Sequence, residues 1–173
     1  MINRIIAIVD LLCKAGAGVA SVIMLLVTGH ILLEITLRSL FHTSTFVVDE
    51  FVGYGVASMT FLALAHALNR DSHIRVSLLS DGAPVVVRQL LELFAILVAI
   101  TVWAFVTWYI GKTVWANFQR GVVSETIART PLWLPQATNL VGLLLLLIAL
   151  LARALRAVSG RMISTTGGDI EHH

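Results

Sequence analysis

The sequence predicts an all-α integral membrane protein with four transmembrane helices. Hydrophobic types make up 58% of the 173 residues and charged types only 13%, whereas a soluble domain carries about 25% charged residues. All twelve Lys and Arg residues lie outside four long apolar stretches. In hydrocarbon the backbone must satisfy its own hydrogen bonds, so each stretch is predicted to be a helix.

Each apolar stretch reaches the roughly 18 residues that a helix needs to cross the hydrocarbon core. The first is predicted to be retained, because Glu34 and Arg38 follow it without the small-residue site of a cleaved signal peptide. Cys13, near its start, is interpreted as a small apolar filler. The predicted spans are Ala15–Leu33, Phe51–Leu68, Leu93–Gly111 and Pro131–Ala152.

The Lys and Arg residues outside the spans predict the orientation. The two tails and the connection between spans two and three hold eight of them, and the other two connections hold four. Because cytoplasmic segments are enriched in Lys and Arg, both termini are predicted to be cytoplasmic, in a bacterial inner membrane. We expect residues 1–160 to form one transmembrane domain and residues 161–173 a polar tail, and His172 and His173 receive no role.

The connection between spans two and three is predicted to contain a short amphipathic segment at the cytoplasmic interface. Apolar residues alternate with polar ones there, and the charged and titratable residues assigned to this interface are Arg70, His73 and Arg75. On the outer side, Thr130 before Pro131 is interpreted as the N-cap of the fourth helix.

The outer half of the first span carries a polar stripe of His30, Glu34 and Arg38 at four-residue spacing. Ionisable residues inside a span indicate a functional site by default. Three interpretations stay open: an ion pair between Glu34 and Arg38 near the interface, a polar contact to a partner helix, and a carboxylate that exchanges protons.

Two acidic residues, Asp49 and Glu50, open the second span, where the helix dipole favours negative charge. An N-cap role for Asp49 accounts for one of them, and a docking role is left open for the pair. Further along this span, Gly53 and Ala57 form a small-xxx-small pair that permits close approach of another helix.

Several classes of function are excluded by missing motifs. The chain has no phosphate-binding loop, no Cys/His metal spacing and no nucleophile elbow, so we expect no enzyme activity and no cofactor. The chain has no basic cluster with interleaved aromatic residues, so the sequence does not indicate a nucleic-acid partner. Haem is disfavoured because His30 and His66 lie about 12 Å and 24 Å from the outer ends of their helices, at unmatched depths.

The order of these features resembles the small membrane subunit, of DctQ type, of tripartite ATP-independent periplasmic (TRAP) transporters. The resemblance covers roughly Val19 to Arg153. Its parts are Arg38 at the end of span one, the Asp49–Glu50 pair, the segment FLALAHALNRDSHIRV at Phe61–Val76, and Ser124-Glu125-Thr126 before PLWLP and a Leu-rich span.

The resemblance implies a non-catalytic subunit bound to a large membrane subunit and to a periplasmic substrate-binding protein, within the lipid bilayer. It implies scaffolding of the large subunit during sodium-driven uptake of a small solute, an organic acid by expectation. The residues expected to contact these partners are Arg38, Asp49, Glu50, Gly53, Ala57, Trp115 and Ser124.

Two alternatives belong to other classes of membrane protein. The first is a small proton-coupled exporter that uses Glu34, and its discriminating feature is activity of this chain alone. The second is the membrane anchor of a redox complex, and its discriminating feature is haem absorption by the purified protein. The sequence does not indicate the transported substrate.

Overall fold

The computed structural model describes residues 2–70 and 85–158, and within them all regular elements are helices apart from one isolated β-bridge. Each helix contains a segment long and apolar enough to cross a membrane, which confirms the four predicted apolar helices. The predicted interfacial segment, the 160/161 boundary and the tail lie outside the described residues. The helices are α1 (Ile2–Phe41), α2 (Val48–Arg70), α3 (Val85–Arg120) and α4 (Trp133–Val158).

Helix α1 is longer than the predicted first span. It has 40 residues and therefore rises about 60 Å, roughly twice the hydrocarbon thickness. It begins at Ile2, so the segment expected to be an N-terminal tail is helical. Val9 and Cys13 of this segment are buried in one cluster with Ala149 and Ala152 of α4, which confirms Cys13 as a packed apolar side chain.

Two predicted helix caps are wrong. Helix α2 begins at Val48, and the Phe51 amide donates to the Val47 carbonyl at 3.1 Å, so Asp49 lies within the first turn. Helix α4 begins at Trp133 rather than at Pro131. The reason is that the preceding loop folds back on itself and places Pro131 in a β-bridge with Val123.

Three helices meet at the middle of α2. Gly142 of α4 faces the α2 backbone so closely that a Cβ atom there would lie 2.6 Å from the Phe61 carbonyl carbon. Gly16 of α1 approaches the Leu62 carbonyl oxygen, 3.1 Å from an added Cβ atom. We call Gly16, Gly142 and the backbone at Phe61–Leu62 the glycine contact. It brings α1, α2 and α4 together without a polar side chain.

Helix α3 occupies a peripheral position. Among the described residues, its Cα atoms come within 8 Å of those of α4 but not of α1 or α2. Its outer surface presents large apolar side chains such as Phe94 and Phe105, which are 67% and 72% exposed. In a soluble protein such a surface would be a liability, whereas lipid chains solvate it.

Candidate functional site

Two loops at one end of the helices carry a network of side-chain hydrogen bonds. The end is formed by the loop of residues 42–47, between α1 and α2, and the loop of residues 121–132, between α3 and α4. A hydrogen bond from Thr126 to Glu50 joins the second loop to the start of α2, so both loops lie at the same end. We call this region the loop end.

Glu34 organises the first loop. Its side chain lies in α1, and the residue is only 4% exposed. One carboxylate oxygen accepts from the Arg38 Nε atom at 2.7 Å and from the Ser44 hydroxyl. The other accepts from the Thr45 amide at 3.0 Å and the Thr45 hydroxyl at 2.6 Å. Both oxygens are therefore saturated by donors from α1 and the loop.

The first loop has an unusual backbone that this carboxylate supports. His42 and Phe46 have φ angles of 50° and 59°, a left-handed conformation that non-glycine residues adopt at a cost. His42 directly follows α1, and the Phe46 amide donates to the Ser44 hydroxyl at 3.1 Å. Because Ser44 also donates to Glu34, the turn is linked to α1 by side chains at its centre.

Glu50 accepts hydrogen bonds from the second loop in a similar way, although the two are distant in sequence. It accepts from the Tyr54 hydroxyl one turn later in α2, at 2.9 Å, and from the Thr126 hydroxyl. Thr126 lies 76 residues from Glu50 in sequence. The Ser124 hydroxyl lies 2.9 Å from the Thr126 hydroxyl and extends the network into the loop.

The second loop is internally closed. The Ser124 amide donates to the Thr130 carbonyl at 2.9 Å, and the Thr130 amide donates to the Ser124 hydroxyl at 3.0 Å. Gly121 and Arg129 adopt left-handed φ angles of 60° and 46° at its two bends. The loop between these bends is therefore closed on itself, and Thr126 attaches it to Glu50 of α2.

Side chains of α3 and α4 also meet beneath the second loop. The Asn117 amide group donates to the Gln136 side-chain oxygen at 2.8 Å. Phe118 packs edge-on against Trp133 with ring centroids 5.3 Å apart, and Trp115 lies 6.2 Å from Phe118. These contacts attach the peripheral helix α3 to α4 at the loop end.

The residues predicted to contact partners divide into two groups. Glu50 and Ser124 belong to one network through Thr126, so both shape the loop end. Arg38 and Asp49 are exposed at the same end, although Arg38 also pairs with Glu34. This pair confirms the predicted i,i+4 ion pair of the first span.

The remaining predicted contacts lie on helix surfaces. Trp115 is 62% exposed on α3, and Ala57 is half-buried on α2. Gly53 is exposed, and a Cβ atom there would meet no described atom within 4 Å. Within the chain, the close approach between α1 and α2 occurs instead at Gly55, whose added Cβ atom would overlap the Val27 side chain.

The predicted intramembrane and interface residues have separate surroundings. His30 stacks edge-on with Phe51, with ring centroids 6.3 Å apart, and its Nε2 atom is buried without a hydrogen-bond partner in the described chain. The side chain of Arg70 and all of His73 and Arg75 lie outside the described residues, so their interfacial assignment stays a prediction.

The chemistry available at the loop end is that of hydrogen bonding. No group of three or more His, Cys, Asp or Glu residues that could hold a metal ion occurs in the described ranges. Glu34 and Glu50 both accept hydrogen bonds from within the chain. The arrangement fixes the shape of two loops and presents their outward side chains.

Sequence reasoning missed several residues of these networks. Tyr54 lies four residues after Glu50, a spacing that indicates neighbours on one helix face and could have identified it. Ser44 and Thr45 lie three and four residues after the end of α1, where hydroxyl residues commonly satisfy backbone groups. Thr126 carries no local pattern that points to Glu50, because the contact depends on the tertiary arrangement.

The fold defines a class, the small multi-pass membrane protein built on four apolar helices. Residues 27–160 match the family model described as tripartite ATP-independent periplasmic transporters, DctQ component. The match covers well over half of the chain, which therefore belongs to this family and is the small membrane subunit of a TRAP transporter. Comparisons with curated proteins and with solved structures give no match.

Proposed function

We propose that this chain scaffolds the large membrane subunit of its TRAP transporter and helps to dock the periplasmic substrate-binding protein on the loop end. The observation that carries the proposal is the pair of carboxylate-held loops at one end of a family member. In this proposal both termini are cytoplasmic, in the inner membrane of a bacterium, and the loop end faces the periplasm.

The internal use of the carboxylates supports a scaffold rather than a carrier. A transport site presents unsatisfied polar groups or broken helices to its cargo. Here both oxygens of Glu34 accept hydrogen bonds from the chain itself. Substrate recognition and coupling to an ion gradient, sodium in this proposal with an organic acid as cargo, are then tasks of the other subunits.

The loop end has the properties of a docking surface for a soluble protein. Its two loops are held in defined conformations, so little conformational entropy is lost when a partner binds. The exposed charges Arg38 and Asp49 lie at the same end as two exposed apolar side chains, Phe46 and Ile127, which are 70% and 77% exposed. Interfaces commonly combine an apolar centre with a polar rim.

Co-purification tests the scaffold role. The full chain is tagged in its native host, the membranes are solubilised in mild detergent, and the co-purifying proteins are identified. A large polytopic membrane protein in stoichiometric amount is the expected result. Recovery of this chain alone, or only as a homo-oligomer, would contradict the proposal.

A charge reversal at the loop end tests the docking role separately. Asp49→Lys is expected to weaken binding of the periplasmic protein to the purified membrane complex while leaving the large subunit bound. The matched control is Arg4→Glu, a reversal at an exposed residue at the other end of α1, which is expected to leave binding unchanged. The two variants change the net charge in opposite directions, so equal loss in both would indicate a general disturbance of the assembly and reject the site.

The exporter alternative makes the opposite prediction for transport. In that case vesicles that contain this chain alone would show proton-coupled efflux, and Glu34→Gln would abolish it. The saturated carboxylate of Glu34 favours the structural role. We therefore expect no transport from these vesicles, and uptake only when the other subunits are present.

A further inference from the structure

A groove between α3 and α4 lies just below the loop end, and none of its lining residues belongs to α1 or α2. Its volume is about 480 Å³, within the range of small-ligand sites. Small residues of α3, Ala104 and Gly111, leave the space open, and Leu147 of α4 closes the opposite side. The lining is almost entirely apolar in its lower part.

One cation lies at the top of this groove. Lys112 is exposed, and its Nζ atom lies 5.5 Å from the centroid of the Trp108 ring. It forms no ion pair with any residue that the structure describes. Trp108 and Trp115, which are 65% and 62% exposed, border the same opening.

The depth of Lys112 matches the edge of the hydrocarbon. Residues 93–111 of α3 carry no charge and rise about 28 Å as a helix, close to the roughly 30 Å thickness of the bilayer core. Lys112 is the first charged residue after them, so it lies at the level of lipid phosphates. Tryptophan side chains prefer this level because one edge of the ring is polar.

The geometry points to a binding site for an anionic phospholipid, with its phosphate at Lys112 and an acyl chain along Ala104, Gly111 and Leu147. Charge complementarity selects this occupant over a transmembrane helix. A helix in the groove would have to supply a carboxylate at this depth. An anionic lipid already has its charged phosphate there, because lipid phosphates lie at the edge of the hydrocarbon. The site is separate from the docking surface formed by Arg38 and Asp49.

Native mass spectrometry of the full chain in mild detergent tests this site with two probes, phosphatidylglycerol and phosphatidylethanolamine. The wild-type chain is expected to retain the anionic lipid preferentially. Because one basic residue near the surface adds a modest attraction, Lys112→Gln is expected to lower retention of phosphatidylglycerol roughly fivefold, with phosphatidylethanolamine unchanged. Equal retention of both lipids by the wild-type chain would overturn the proposal.

Two further variants separate charge from shape. Arg120→Gln removes an exposed positive charge from the last turn of α3, outside the groove, and is expected to leave retention unchanged; a loss equal to that of Lys112→Gln would reject the site. Ala104→Trp fills the groove and is expected to lower retention of both lipids. Unchanged binding in this variant would show that the acyl chain lies elsewhere.

A photo-crosslinking residue at position 104, in membranes that contain the whole transporter, identifies the occupant in the assembled complex. Crosslinks to lipid are expected. Crosslinks to the large membrane subunit would overturn the lipid assignment and replace it with a protein contact.

Discussion

The glycine contact and the loop end hold the helices together in different ways. At the glycine contact, α1 and α4 approach the α2 backbone at Leu62 through Gly16 and Gly142. At the loop end, Glu34 and Glu50 bind hydroxyl and amide donors from two loops. The first contact depends on glycines, which have no side chain, and the second depends on carboxylate side chains.

The difference follows from the solvent at each level. Apolar side chains gain no hydrophobic energy by leaving lipid for a helix interface, so close backbone packing is the available attraction in the bilayer core. Near the membrane surface, a loop exposes backbone groups that need partners. A carboxylate accepts several hydrogen bonds at once, so one side chain can hold a loop in a single conformation.

Gly142→Ala is expected to have the largest effect on the free chain. The added Cβ atom would lie 2.6–2.8 Å from backbone atoms of Phe61 and Leu62, which cannot rotate away. Overpacking of this kind destabilises by about 1–3 kcal/mol. Thermal unfolding in detergent, followed by tryptophan fluorescence, measures it, and an unchanged midpoint would mean that α2 and α4 pack less closely than described.

Glu34→Gln is expected to have the next largest effect, concentrated in the first loop. The amide retains one acceptor oxygen, so two of the four hydrogen bonds to Arg38, Ser44 and Thr45 are lost. We expect a lower thermal midpoint and faster hydrogen exchange at the Thr45 amide.

Arg38→Gln is the control for the preceding change. It removes the charged partner of Glu34 but leaves the donors from the loop in place. Exchange at the Thr45 amide should then stay close to that of the wild-type chain. If both variants accelerate exchange equally, the ion pair rather than the loop contacts holds the turn.

Glu50→Gln is expected to act locally and more weakly. Glu50 is half-buried and bound by the neutral hydroxyls of Tyr54 and Thr126. Hydrogen exchange in residues 121–132 should accelerate while the thermal midpoint changes little. Glu125→Gln, at an exposed acid in the same loop, is the matched control, and equal acceleration there would remove Glu50 from its assigned role.

Gly53→Ala is expected to change the free chain least. An added Cβ atom meets no described atom within 4 Å, and alanine favours helix over glycine by up to about 1 kcal/mol. The midpoint should therefore stay constant or rise slightly. Reduced recovery of the large subunit in the co-purification experiment would identify Gly53 as part of the subunit interface, and full recovery would exclude it.

The sequence predicts the features that depend on local spacing. The four apolar helices and the Glu34–Arg38 pair follow from patterns of a few residues, and the structure confirms them. Gly142 lies within a Leu-rich run and has no pattern that distinguishes it from other glycines. The contact between Glu50 and Thr126 spans 76 residues and depends on how four helices are arranged.

The errors at the helix caps have the same origin. Asp49 and Thr130 are residue types that commonly cap helices, yet both α2 and α4 begin elsewhere. In the second case, Thr130 instead bonds Ser124 across the loop. Capping propensity describes a preference of the local chain. At Thr130 the hydrogen bonds of the closed loop replace those of a helix cap.

The position of α4 in the sequence determines when the helices can pack during synthesis. The chain is made from its N-terminus, so α1 and α2 can pair as a hairpin early, and α3 enters the membrane before α4, the one described helix whose Cα atoms come within 8 Å of those of α3. The glycine contact requires Gly142, which lies in α4. The three-helix unit can therefore close only after α4 has left the ribosome, and nascent chains truncated before α4 should be preferred substrates of membrane quality-control proteases.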